Sequence, residues 1–145
     1  MAIKRADFPL PDLSDALTAP FFAAAGRHEL VIPRCASCGD FVWYPEPACP
    51  RDGGALAWER VSGRCTLFSW AVVRRPFLPA FADKVPFVTA LVALAEDEAV
   101  RVPTYIVDAD PETLVADAPV RAVFRALSFT TVPGAEVVVP MFTPA

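Results

Sequence analysis

Beyond residue 60 the chain is written in short apolar runs broken by Gly, Pro, Asp and Ser, which is the spacing of strands and turns. Five strands are predicted, over 64–75, 86–96, 99–107, 120–127 and 136–142. In the fourth, Arg121 and Arg125 alternate with Val120, Ala122, Phe124 and Ala126, so that strand has one wet face. In the first, Thr66, Phe68, Trp70 and Val72 are expected on one face and Leu67, Ala71 and Val73 on the other. The second is apolar on both faces as well. Five antiparallel strands that close on themselves bury only their inner face. The outer apolar positions therefore call for a cover, from the N-terminal helix, the segment that follows it, or another protein.

The first 60 residues follow a different pattern. Residues 1–17 are interrupted by proline and are expected to run extended. Thr18 is placed as an N-cap, Pro20 in the first turn and Gly26 as the stop of a short helix over 19–25, anchored by Phe21 and Phe22. Short strands are expected over 29–34, 41–44 and 56–62, and a helical turn near Asp110, where Pro111 and Glu112 make a good N-terminus.

At 145 residues, the chain fits one compact domain with a small appendage. Its 54% hydrophobic content is high for that size and points to surface reserved for a partner. No segment reaches the roughly 18 apolar residues of a membrane helix. The N-terminus has no apolar signal core, so a cytoplasmic address with reduced thiols is expected. The net charge of -4 weighs against indiscriminate nucleic-acid binding. It is unevenly spread: Arg60, Arg64, Arg74 and Arg75 make a basic patch against the lone Glu59, whereas 83–117 is strongly acidic. Such a patch suits a phosphorylated small molecule, or is a set of solvated arginines at strand ends.

Cys35-Ala-Ser-Cys38 is followed, after ten residues, by Cys49-Pro-Arg-Asp52. Ligands paired two residues apart and repeated after a short excursion are what two knuckle turns need to close a tetrahedral zinc site. Gly39, Gly53 and Gly54 follow the pairs and suit such turns. Cys35, Cys38, Cys49 and Asp52 are thus the expected ligands of a structural zinc, with Asp52 a harder donor than the usual fourth thiolate. Cys65 competes for the fourth position, or is a small buried hydrophobe. His28, the sole histidine, is expected at the surface. Two alternatives stay open: a metal-free ribbon held by Trp43, Tyr44 and Trp58, and a catalytic ion, for which Glu46 is the only nearby base.

The order of features is more specific than any one of them. A helix carrying Pro20-Phe21-Phe22 precedes RCASCGDFVWYPEPACP, then WERVSGRCTLFSWAVVRRPFLPAFADKVPFVTALVAL, and the chain closes on VVVPMFTPA. From about residue 20 to 144 this resembles the acyl-CoA-associated OB-fold proteins that carry a rubredoxin-like zinc ribbon. The resemblance implies a mainly β fold, with a short N-terminal helix and extension over 1–28, a ribbon over 29–60 and a five-stranded OB barrel over 61–145. It also implies a role as the small subunit of a hetero-oligomer with a thiolase-fold aldolase, thiolase or acyltransferase. That partner, lipid-transfer-protein-like, supplies the chemistry, a retro-aldol cleavage of a CoA thioester in steroid or lipid side-chain catabolism. The small subunit helps form the acyl-CoA channel. Asp52 departs from the family's fourth cysteine, and Cys65 stands where the family has glycine or another small residue.

The residues agree with a non-catalytic role. With a single histidine outside every motif there is no serine–histidine pair, and no Gly-rich phosphate loop occurs. No catalytic residue is assigned. CoA binding needs cations for phosphate and an apolar path for the acyl chain. Arg74 and Arg75, with Phe77, Phe81 and the nearby Trp70, offer both, as contacts to acyl-CoA or to the partner. A module binding single-stranded nucleic acid, with Phe68 and Trp70 as a stacking platform, is the alternative; a stand-alone thioester hydrolase or isomerase lacks the acid–base groups.

Overall fold

The computed structural model describes residues 5–145. Helix α1 (Ala19–Gly26) leads into an antiparallel pair, β1 (Leu30–Cys35) with β2 (Leu56–Val61). Five further strands follow: β3 (Arg64–Val73), β4 (Phe87–Leu94), β5 (Arg101–Ile106), β6 (Pro119–Ser128) and β7 (Glu136–Pro144). They close into a barrel in the order β3-β4-β5-β7-β6. The seam between β5 and β7 is the thinnest, a single parallel pairing of Ile106 with Phe142. The mainly β architecture with one short helix, a ribbon and a five-stranded barrel is as expected. Among the described residues no helix is long and apolar enough to cross a membrane.

Strand β3 departs from simple alternation. Its register against β4 jumps between Leu67 and Ser69, leaving Phe68 as the extra residue of a bulge. Cys65 and Leu67 point into the barrel before the bulge, and Trp70 and Val72 pack against the core after it. The expected face of Thr66, Phe68, Trp70 and Val72 is therefore split. Thr66 and Phe68 are exposed, because one inserted residue reverses the parity of every side chain beyond it.

One core serves ribbon and barrel together. Leu30 and Ile32 of β1, Val61 of β2 and Phe21 of α1 join Leu67, Val92, Leu94, Val102, Val120 and Phe142 in a single buried cluster. Part of the cover that the barrel needs thus comes from its own N-terminal half. A satellite cluster of Leu10, Ala80 and Phe129 ties the N-terminal segment to the loop after β3.

Three local expectations change. The run over residues 1–17 lies partly outside the described residues. From residue 5 onward it is a chain of turns and not an extended strand, because Asp12 and Asp15 side chains accept the backbone N–H of Ser14 and Leu17, both at 3.0 Å. Thr18 occupies the N-cap position without a capping side-chain bond; it is buried, and the Asp15 carbonyl starts the helix by accepting the Ala19 N–H at 2.8 Å. The strand over 41–44 shrinks to one bridge between Phe41 and Arg34, flanked by Val42 N–H to Pro33 O and Cys35 N–H to Asp40 O, each 2.8 Å. Pro45 and Pro47 have no N–H to extend that ladder. At Asp110 the turn forms as expected, its carboxylate accepting the Glu112 N–H at 2.9 Å.

Candidate metal centre and binding surfaces

The two ligand pairs sit on matching turns. The Gly39 N–H donates to the Cys35 carbonyl at 3.0 Å and the Gly53 N–H to the Cys49 carbonyl at 2.9 Å. Both glycines have positive φ, 78° and 73°, the left-handed conformation that glycine adopts without a Cβ penalty. Asp52 therefore holds in its turn the place that Cys38 holds in the other. The ligand atoms of Cys35, Cys38, Cys49 and Asp52 all lie within 4.8 Å of one another. Cys38 Sγ is 3.8 Å from Cys49 Sγ, and Cys35 Sγ is 3.4 Å from Asp52 Oδ1. A tetrahedral ion with sulfur ligands near 2.3 Å puts its donors about 3.7 Å apart. The donor set has metal-site geometry and suits zinc.

Charge and space point the same way. Cys35 is held low, first by the Cys38 N–H, and Asp52 is held low by the Gly54 N–H and then the Cys35 thiol. The Asp40 N–H lowers the Cys38 thiol, but desolvation and the sulfurs of Cys35 and Cys49 push it up to about 11. Neighbouring thiols resist ionising together, and a bound cation reverses that balance. Gly54 leaves no room for a side chain here. A Cβ on it would lie 2.7 Å from Ser37 Oγ and 2.8 Å from both Asp52 Oδ1 and Cys35 Sγ.

Cys65 is not part of this cluster. It is buried in β3 between Leu94 and Val120, and burial, with the Glu96 charge, pushes its thiol up to about 12. His28 is exposed and stacks on Phe124 with ring centroids 5.4 Å apart.

The loop expected to meet acyl-CoA or a partner divides into anchored and free residues. Phe81 packs against Phe129 and Phe87, with ring centroids at 5.4 and 5.6 Å. Trp70 rests on the barrel core. Arg74 reaches Glu112 at 3.2 Å. Phe77 is 84% exposed beside the exposed Arg75. The proposed stacking platform does not assemble: Arg101 lies 3.8 Å over the Phe68 ring, and the bulge turns Trp70 the other way.

Residues 22–59 match the family model described as ChsH2, rubredoxin-like zinc ribbon domain, and residues 58–125 that described as ChsH2, C-terminal OB-fold domain. A "DUF35 domain-containing scaffold protein" of Methanothermobacter thermautotrophicus is 34% identical over 101 residues, 68% of this chain and 74% of that protein. The chain belongs to the ChsH2 (DUF35) family. A "Probable enoyl-CoA hydratase alpha subunit" of Thermomonospora curvata is 36% identical over 102 residues, 69% of this chain; the match spans 30% of that longer protein. Among solved structures, an "Ltp2-ChsH2(DUF35) aldolase" aligns with a TM-score of 0.78 at 29% identity, covering 92% of this chain and 98% of that one. A DUF35 protein of unknown function from Sulfolobus solfataricus shares the fold, with a TM-score of 0.58 at 14% identity over 92% of this chain and 89% of that one.

One feature of this ChsH2-family chain escapes sequence reasoning. An apolar groove of about 230 Å³ opens between α1, the Trp43–Tyr44 corner and the barrel, walled by Phe21, Phe22, Val102, Tyr105 and Val139. Its walls come from segments far apart in the chain, so no local motif announces it. Thr18, read as a cap, is one of its lining residues.

Proposed function

We propose that this chain is the non-catalytic scaffold subunit of an aldolase complex. Its partner is a thiolase-fold, lipid-transfer-protein-like subunit that cleaves a CoA thioester by retro-aldol chemistry, in steroid or lipid side-chain catabolism. The observation that carries this reading is the end-to-end likeness to the Ltp2-ChsH2(DUF35) aldolase, at an identity high enough to bear on more than the fold. The likeness to the DUF35 domain-containing scaffold protein of Methanothermobacter thermautotrophicus supports it.

In this reading Cys35, Cys38, Cys49 and Asp52 hold a structural zinc that fixes the ribbon, and the ion's chemistry is confined to binding those donors. The free end of the 74–81 loop, Arg75 and Phe77, offers a cation and an uncovered aromatic ring to the partner or to acyl-CoA, with Arg74, Trp70 and Phe81 behind it. The groove beside Phe21 and Phe22 is apolar, as an acyl path must be.

Retro-aldol cleavage of a CoA thioester, assayed with the thiolase-fold subunit purified alone and then co-purified with this chain, tests the proposal. Activity is expected only, or mainly, in the co-purified sample. Equal turnover in both would refute the scaffold role.

A further inference from the structure

Three arginines converge on a groove that neither the metal centre nor the 74–81 loop touches. The groove, about 310 Å³, lies where β2 passes into β3 through Ser62 and Gly63, and β6 and the His28–Glu29 turn close its sides. Arg60, Arg64 and Arg121 line it, with Glu29 as its carboxylate. Arg64 and Arg121 are direct cross-strand partners. Side chains so placed share one face with Cβ atoms about 4.5–5.5 Å apart, and like charges there repel.

Among the described residues, no ion pair within the chain relieves that repulsion: Arg34, Arg51, Arg74 and Arg125 each reach a carboxylate, whereas neither Arg64 nor Arg121 forms an ion pair. Asp108 lies within the field of Arg121, but Arg125 takes its Oδ2 at 2.5 Å. Arg60 is only partly offset, because Glu29 is 3.7 Å from both Arg60 and Arg27. The lining arginines thus outnumber the acid by two. The His28 and Phe124 rings also line the groove, stacked nearly parallel at 8° as an aromatic plate, with His28 exposed.

We infer that this groove binds a small molecule bearing a diphosphate. The guanidinium forks of Arg64 and Arg121 grip one phosphate between them, Arg60 meets the other, and the His28–Phe124 plate offers a wall on which a nucleobase stacks. Guanidinium geometry matches phosphate oxygens two at a time, and a bound dianion turns the repulsion into attraction. The inference uses none of the residues that carry the aldolase-scaffold proposal, so either stands without the other.

Calorimetric titration of the full chain at low ionic strength, with inorganic pyrophosphate and with ADP as probes, tests it. Saturable one-to-one binding is expected, weakened at least about tenfold by Arg64→Gln with Arg121→Gln, the scale of losing charge-assisted phosphate contacts. Without ligand, the same double variant should resist urea as well as the parent chain, since it removes a repulsive pair. Arg101→Gln, an exposed arginine on β5 outside the groove, should leave binding unchanged. Tighter binding of ADP assigns the aromatic plate to a nucleobase, while equal binding assigns the groove to the diphosphate alone; both support the site. No saturable binding of either probe, binding that survives the Arg64/Arg121 double variant, or loss of binding in Arg101→Gln would each overturn it.

Discussion

Asp52 is the donor that would set how firmly the proposed zinc site holds its ion. It stands on a turn whose hydrogen bonds and glycine conformation match those around Cys38, so its carboxylate is aimed as the fourth thiolate would be. Oxygen is a harder donor than sulfur toward zinc. Asp52→Cys should therefore tighten zinc and Asp52→Ala loosen it, each by ~10-fold or more, the scale on which even outer-shell changes act. Competition with a chromogenic chelator reads both, and equal affinities across the three proteins would remove Asp52 from the site. The pairs of ligands were legible because their spacing is local. That Gly54 is pressed against them was not, because the close approach to Ser37 and Cys35 crosses between the two turns. Cys65 shows the opposite behaviour. Its folded-state thiol is raised from 9.0 to about 12, so the native state keeps a proton that the unfolded chain releases. The stability tied to it is complete below pH 9.0 and is lost as pH climbs toward about 12, with a slope of up to about 1.4 kcal/mol per pH unit. Urea midpoints at pH 8 and pH 10.5 should fall further for the parent chain than for Cys65→Ala. Parallel losses would contradict a buried, protonated thiol.

At the level of elements, the barrel strands were legible from apolar runs and turn residues, and the side-chain parity within β3 was not. A bulge inserts one residue without any mark in the composition, and only the pairing with β4 reveals that Phe68 is the extra one. The strand expected over 41–44 reduces to one bridge for a related reason: those apolar residues look like a strand, but the prolines beyond them withhold the donors a ladder needs. The junction of ribbon and barrel depends on Gly63. It has φ of 81°, a Cβ on it would meet the Ala122 Cβ at 3.3 Å, and its carbonyl accepts the Ala122 N–H at 2.8 Å. Gly63→Ala should cost about 1–2 kcal/mol, the strain of a left-handed residue that carries a side chain. Urea unfolding measures this, and an unchanged midpoint would mean that the junction relaxes freely.

For the whole molecule, ribbon and barrel share one core, so the hairpin that carries the candidate metal ligands packs into the barrel's core and is not a loose appendage. Burial explains why the chain's high apolar content does not all demand a partner: α1 and β1 cover surface that the barrel strands leave bare. What stays uncovered is local, above all Phe77, with Val115, Tyr44, Phe8 and Leu13 next. Sequence resemblance identified the family over most of the chain, whereas the grooves beside α1 and at Arg64 depend on strand order, which no short motif encodes. Native mass spectrometry of this chain co-expressed with a thiolase-fold aldolase subunit tests the scaffold claim most directly. The account predicts a hetero-oligomer containing both chains, whereas two separate species, with this chain alone in its own peak, would contradict it.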